Sequence, residues 1–331
     1  MTVTFTEREI FPYATESELR LDLMPRVRQM ALTRNPKHSW RDMSDIDVLK
    51  SAGLFEENWA TGKKGFNLAC ILLFGRDDVI RSCAPGYVTD CLLRHDNVDR
   101  YDDRLQVDCN LIEAYDKIMD FIAKHTLDKF FLVDNQNVSV RTWIAREIVS
   151  NILVHREYSS AFPAKVIIER DRIYAENWNR AMKPGRIDLD SFTPQPKNPL
   201  LANFFVNIGH ADKLGSGVRN LYKYTKIYSG GEPELIEGDI FKTIVPLENK
   251  VQSHTGKEYN HCTLNCTLNC TLTETQVLEF IKENPSATQK EIAAAVSKSV
   301  NTVKNAMSHL QELGLIRREG AKRKGKWIFM L

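Results

Sequence analysis

Between Glu248 and Leu272 the hydrophobic periodicity of this chain stops. The only order there is a short perfect repeat, CTLNCTLNCTL. A chain interrupted in this way cannot close around one core. It has to fold as separate bodies, a large one before the interruption and a small one after it. In the repeat, Cys262, Cys266 and Cys270 recur every four residues beside His261. On a helix they would share a face and suit a soft metal. Thr, Asn and Cys are indifferent helix formers, however, and the Cys-x2-Cys spacing of structural zinc sites is absent. We read 248–272 as linker rather than metal site.

The small body, 273–331, is the easier to read. TETQ (273–276) and TQKE (288–291) are capping boxes, each opening a helix. Asn284-Pro285 stops the first helix, and Ser299 can cap the third, whose apolar side is Val303, Met307, Leu310 and Leu313. Gly314 is placed to end it. A strand, a basic turn and a second strand follow. Ten Lys or Arg against six Glu give this segment a charge of +4 within a chain of net charge +2.

Three short helices and a basic hairpin resemble the winged helix-turn-helix domains of bacterial transcription regulators. The resemblance implies that the third helix enters the major groove of double-stranded DNA. Its exposed positions Asn301, Thr302, Lys304, Asn305 and Ser308 have the size and polarity to meet bases and phosphates. The hairpin would bring Arg317, Arg318, Lys322, Arg323, Lys324 and Lys326 to the backbone. A winged helix that docks protein is the alternative; the basic hairpin favours DNA.

In the large body, helical and strand patterns interleave, so we expect an α+β fold. Residues 1 to about 60 read as helical, and 180–199 as loop. NLIEAYDKIMDFIAKHT is an amphipathic helix, KFFLVDNQNVSV a hairpin, and AKVIIERDRIYAEN two strands joined at a charged turn.

REIVSNILVHREY (146–158) stands apart. On a helix it stacks Glu147, Asn151 and His155 along one stripe, while Ile148, Val149, Ile152, Leu153 and Val154 point to a core. An amide oxygen can hold Mg²⁺ and a carboxylate one turn earlier can orient or deprotonate a water. Gly215, Ser216 and Gly217 in KLGSGVRNL precede a helix, where free N–H groups favour an anion. The bland alternative is a polar network in which the three side chains satisfy one another or the backbone.

The order of these pieces resembles the GHKL ATPase fold of gyrase and histidine kinases. More closely, REIVSNILVHREY, KNPLLANFF, IGHADKLGSGVRNL and FKTIVPL look like the RecG-C-terminal-type ATPase domain of bacterial regulators. Those usually carry a Schlafen AlbA domain first and a winged helix last, so this chain would be a shortened member or a fragment. The resemblance implies a GHKL-like α/β sandwich binding ATP and Mg²⁺. Glu147 would be the water-activating base, Asn151 the Mg²⁺ ligand, and Gly215, Ser216 and Gly217 the phosphate side. The adenine box is replaced by ENWNR, with Asn177 and Asn179 and neither glycine. An Asn can meet the adenine amino group through its carbonyl but supplies no carboxylate. Lys183, Lys197 and Asn198 fall in a lid-like loop. Whether ATP is hydrolysed stays open; with no Walker A sequence, helicase activity has no support.

These readings give a division into 1–110, a helical and α/β segment packing on the ATPase-like domain; 111–247, that domain; 248–272, linker; and 273–331, winged helix. The expected function is an ATP-binding, DNA-binding transcriptional regulator. The rivals are a non-catalytic regulator whose body is a scaffold for a homodimer, and a weak ATPase with a protein-docking winged helix. No uncharged apolar run approaches the ~20 residues that span a bilayer, the N-terminus lacks the order of a signal peptide, and seven cysteines without paired spacing suit a reducing cytoplasm.

Overall fold

The computed structural model describes residues 5–95, 99–129, 131–133, 136–179, 181, 184–189, 196–212 and 216–247. Further on it describes 277, 280–281, 284–285, 287–296, 298–312, 316–319 and 326–329. The chain forms two compact units, Met1–Val251 and Gln252–Leu331. The cysteine repeat and the first capping box lie outside the described residues.

The first sixty residues hold helices, as expected, and short strands, which were not. β1 (Ile10–Phe11) precedes α1 (Met24–Arg34) and α2 (Asp45–Ser51), and then β2 (Phe55–Glu57) and β3 (Lys64–Asn67) follow. The three strands form a small antiparallel sheet in the order β1-β3-β2. Pro25 sits in the first turn of α1, where its missing N–H costs nothing. The apolar run after Lys64 splits because Asn67 caps a helix: its side chain accepts from the Cys70 N–H at 3.1 Å. The helix it starts, α3 (Leu68–Phe74), is buried at every position.

α4 (Asp77–Cys83) leads to β4 (Thr89–Arg94) and β5 (Asp103–Val107), and then α5 (Leu111–His125) begins under an Asn110 cap. The short hairpin of β6 (Leu132–Val133) and β7 (Gln136–Asn137) precedes α6 (Val140–Val154). β8 (Ala164–Glu169), β9 (Arg172–Trp178), β10 (Gly185–Arg186), α7 (Pro199–Asn207), α8 (Ser216–Ser229), β11 (Glu234–Glu237) and β12 (Ile240–Pro246) complete the unit. Seven strands form one mixed sheet in the order β10-β11-β12-β9-β8-β4-β5. Only β4 and β8 are parallel, Thr89 facing Ala164 and Arg94 facing Glu169. Parallel neighbours need a long crossover, and α5 and α6 lie within it.

α5 packs on β4 and β5, α6 on β9, and α8 on β12, with α6 between the other two helices. That position explains why α6 is buried on several sides: Ile144, Ile148, Val149, Ile152 and Leu153 are all buried. β4 and β5 belong to this sheet, so residues before and after 110 share one sheet and one unit.

In the small unit, Val277, Phe280 and Ile281 are helical, followed by α9 (Gln289–Ala295), α10 (Val300–Glu312) and a ladder of β13 (Ile316–Glu319) with β14 (Lys326–Phe329). Val277, Ile281, Ile292, Val303, Met307, Leu310, Ile316 and Trp327 share one core. Thr288 and Glu291 form the reciprocal capping box that opens α9.

Candidate functional site

Glu147 lies in the middle of α6 with a buried side chain. It faces the first turn of α8, which brings its carboxylate against Gly217; a β-carbon on that glycine would stand 2.6 Å from Oε2. Asn220, one turn into α8, hydrogen-bonds the carboxylate and also donates to Asp212 Oδ2 at 3.0 Å. Arg146 donates to Glu147 Oε1 at 3.2 Å and bonds Asp212 as well. Burial pushes the Glu147 carboxyl above its ordinary range, Asp212 adds to this, and Arg146 and Asn220 oppose it. A negative group at the start of a helix is favourable. Here the chain's own carboxylate fills that position.

Asn151, one turn further along α6, is half-buried, and its side chain hydrogen-bonds none of the described residues. His155 is the C-cap of α6. Burial first, and the Lys197 ammonium second, push its pKa down to about 4, so it stays neutral at physiological pH.

The HREY segment that follows closes the end of the helix. The last carbonyls of a helix have no partner inside it. Here Tyr158 donates its hydroxyl to Leu153 O, Asn198 donates to Val154 O at 2.8 Å and Arg156 O at 2.7 Å, and Asn177 donates to His155 O at 3.0 Å. Arg156 is buried between the rings of Tyr87 and Tyr158, 5.3 and 5.2 Å from their centres, and donates to Val88 O at 3.1 Å. The segment therefore ties α6 to the strand that begins at Thr89.

Of the two asparagines in the adenine-box position, both are buried and both donate to backbone carbonyls, Asn177 as above and Asn179 to Gly238 O at 3.2 Å. The Asn179 Oδ1 is buried without a partner. Lys197 pairs with Glu237 at 3.1 Å. Gly215 and Lys183 lie outside the described residues, while Ser216 and Gly217 open α8. Among the described residues no group of three or more His, Cys, Asp or Glu could hold a metal ion. Sequence reasoning brought Glu147 and Gly217 to one place but missed Arg146, Asp212 and Asn220. The packing of α6 on α8 brings Asp212 and Asn220 to Arg146 and Glu147, and their spacing carries no motif.

In the small unit, Asn301, Thr302, Lys304, Asn305 and Ser308 are exposed on α10, opposite Val303, Met307 and Leu310. Ser299 caps the helix, accepting from the Thr302 N–H at 3.1 Å, and its hydroxyl lies 2.8 Å from that of Thr302. Thr302 is thus partly engaged in the cap. Arg317, Arg318 and Lys326 are exposed on the ladder, and Arg318 lies over Trp327, 5.2 Å from the ring centre. Lys322, Arg323 and Lys324 lie outside the described residues.

Comparison with known proteins follows this division. Residues 271–317 match a family described as winged helix-turn-helix DNA-binding (HTH_24). The small unit is thus a winged helix-turn-helix DNA-binding domain. Residues 4–90 match a domain of unknown function (DUF8451). The solved structure of the DIP2311 protein from Corynebacterium diphtheriae is similar over 99% of this chain, with a TM-score of 0.54 and 16% identity. This chain covers 65% of that one, and the likeness is one of fold. No curated protein matches. No helix among the described residues is long and apolar enough to cross a membrane.

Proposed function

We propose that this protein is a cytoplasmic DNA-binding transcriptional regulator. Its winged helix reads double-stranded DNA, and its α+β body is a regulatory or dimerising module rather than a catalyst. The observation that carries this reading is the two-sided α10: Val303, Met307 and Leu310 face the core, while Asn301, Lys304 and Asn305 face solvent beside a basic ladder. The test is selection of a preferred duplex from random sequence, followed by affinity on that site and on random duplex. Equal binding to both would leave only charge-driven association.

A second reading, Mg²⁺-nucleotide binding by the body, draws support from two amides. Asn151 has its side chain unengaged one turn from Glu147, and Asn179 Oδ1 is buried without the donor that an adenine amino group would supply. The phosphate end fits less well, because the Glu147 carboxylate stands where an anion at the start of α8 would sit. Nor, among the described residues, do three or more His, Cys, Asp or Glu gather where a metal ion could sit. The described residues alone do not make a complete nucleotide site, and we assign no hydrolytic step to Glu147. Isothermal titration with Mg²⁺-ATP and a non-hydrolysable analogue decides the matter. Heat that saturates in wild type and vanishes in Asn151→Ala would establish the nucleotide reading.

A further inference from the structure

Glu7 stands in a 3-10 turn, Thr6–Arg8, and its side chain is fully buried. Its Oε1 accepts the Leu200 N–H at 2.9 Å and its Oε2 the Leu201 N–H at 3.0 Å. These are the first free donors of α7, since Pro199 ahead of them has none. A helix normally draws this acceptor from its own N-cap residue. Here the N-cap is Asn198, and it makes no cap bond. Its amide is turned the other way, onto the Val154 and Arg156 carbonyls at the end of α6. Asn198 thus closes α6, and Glu7, from the far end of the sequence, closes α7 in its place.

The surroundings of Glu7 leave its charge weakly matched. Arg8 pairs with Glu56 at 2.9 Å instead, and among the described residues no lysine or arginine hydrogen-bonds the Glu7 carboxylate. α7 carries no ionisable side chain, and α3, which packs against the turn, has only Cys70, whose thiol burial holds protonated. Beyond α6, the Tyr158 phenol feels both Glu7 and Arg156 and stays neutral through burial, while Glu157 is bonded by Thr6 at 2.7 Å.

We propose that Glu7 is a proton-operated latch, whose carboxyl group sets how firmly the N-terminal segment holds the start of α7 and, through Asn198, the end of α6. Burial pushes its pKa up to about 7, against the two backbone N–H bonds and Arg8, with Glu56 adding to the rise. The folded chain therefore binds this proton more tightly than the unfolded chain. The stability so gained is fully present below the ordinary glutamate value of 4.5 and is lost as pH rises through about 7. The latch is tight in mild acid and loosens in mild alkali.

The experiment compares full-length wild type with Glu7→Gln, which keeps an acceptor and cannot ionise. Between pH 5.5 and 8.5 the unfolding equilibrium of wild type should shift, relative to the variant, by roughly 30-fold toward the unfolded chain. Exchange of the Leu200 and Leu201 amides, corrected for intrinsic rate, should quicken with pH in wild type alone. Parallel pH profiles for the two proteins would overturn the proposal. Should the variant not fold, the wild-type Glu7 carboxyl carbon can be followed by NMR, assigned through its contact with the Leu200 amide. Titration near neutrality supports the latch, and titration below pH 5.5 sinks it.

Discussion

Gly217 leaves room for Glu147. A β-carbon at the glycine would come within 2.6 Å of the Glu147 carboxylate, closer than a carbon and an oxygen can stand, and the carboxylate is held by Arg146 and Asn220. Gly217→Ala should therefore cost about 1–3 kcal/mol in denaturant unfolding. Truncating the carboxylate as well, in Gly217→Ala with Glu147→Ala, should recover part of that loss. A double-mutant cycle with no coupling between the two positions would show that they do not meet.

Asn198 holds two carbonyls at the end of α6, so Asn198→Ala strands both in a buried place. At about 1–3 kcal/mol for each unsatisfied group, a loss of roughly 2–6 kcal/mol is expected. Tyr158→Phe removes one hydroxyl from Leu153 O and should cost about 1 kcal/mol. Chemical denaturation of the two variants checks the order; equal losses would mean that the capping account is wrong.

How far the sequence alone reaches differs between the two units. The small unit is governed by local signals: the Thr288–Glu291 box, the Ser299 cap and the spacing of Val303, Met307 and Leu310 each act within a few residues, and each is realised. In the large unit α5, α6, β8 and β9 were legible for the same reason. In the first sixty residues α1 and α2 fall where helices were read, but the strands were not foreseen. β1 and β2 are only two and three residues long, too short to show alternation, and they exist because β3 lies between them. Glu147 and Gly217 were each visible, but their contact is fixed by α6 packing on α8. The Glu7 cap spans 193 residues and leaves no local trace.

His210 gives the body a sensitivity to acid. Its ring stacks on Tyr115 with centres 3.6 Å apart, and Nε2 is buried without a partner. Burial first, and then the Arg26 and Arg146 guanidinium groups, push its pKa down to about 3. A base whose folded pKa is depressed stabilises the protein above its unfolded value of ~6.5 and loses that contribution as pH falls toward the folded value. Wild type should lose on the order of 3 kcal/mol between pH 6.5 and 4 from this residue. His210→Phe, which keeps the ring, should melt with a flatter acid limb. An unchanged acid limb would remove His210 from the account.

The DNA contacts should separate into two kinds. Arg317, Arg318 and Lys326 sit exposed on the ladder, where the proposed function would have them meet phosphates rather than bases. Each phosphate contact releases counterions, so affinity should fall steeply with salt. Replacing Arg317 and Lys326 together by Gln should weaken binding on every duplex and flatten the salt slope by roughly two units. Arg318 is the less suitable probe, because its guanidinium also packs on Trp327 in the core of the small unit, and its loss would mix folding with binding. Asn301 and Asn305 stand on the exposed face of α10. Replacing either by Ala should relax preference at particular bases, at a cost of about 1–3 kcal/mol there, and leave the salt slope unchanged. Thr302 should behave differently again, since its hydroxyl is tied to Ser299: Thr302→Ala should loosen the start of α10 and weaken binding without changing which sequence is preferred. Affinities at several salt concentrations, on a selected site and on random duplex, distinguish the three outcomes. If the asparagine variants lose affinity equally on both duplexes, α10 does not read bases, and a protein-docking winged helix becomes the better account.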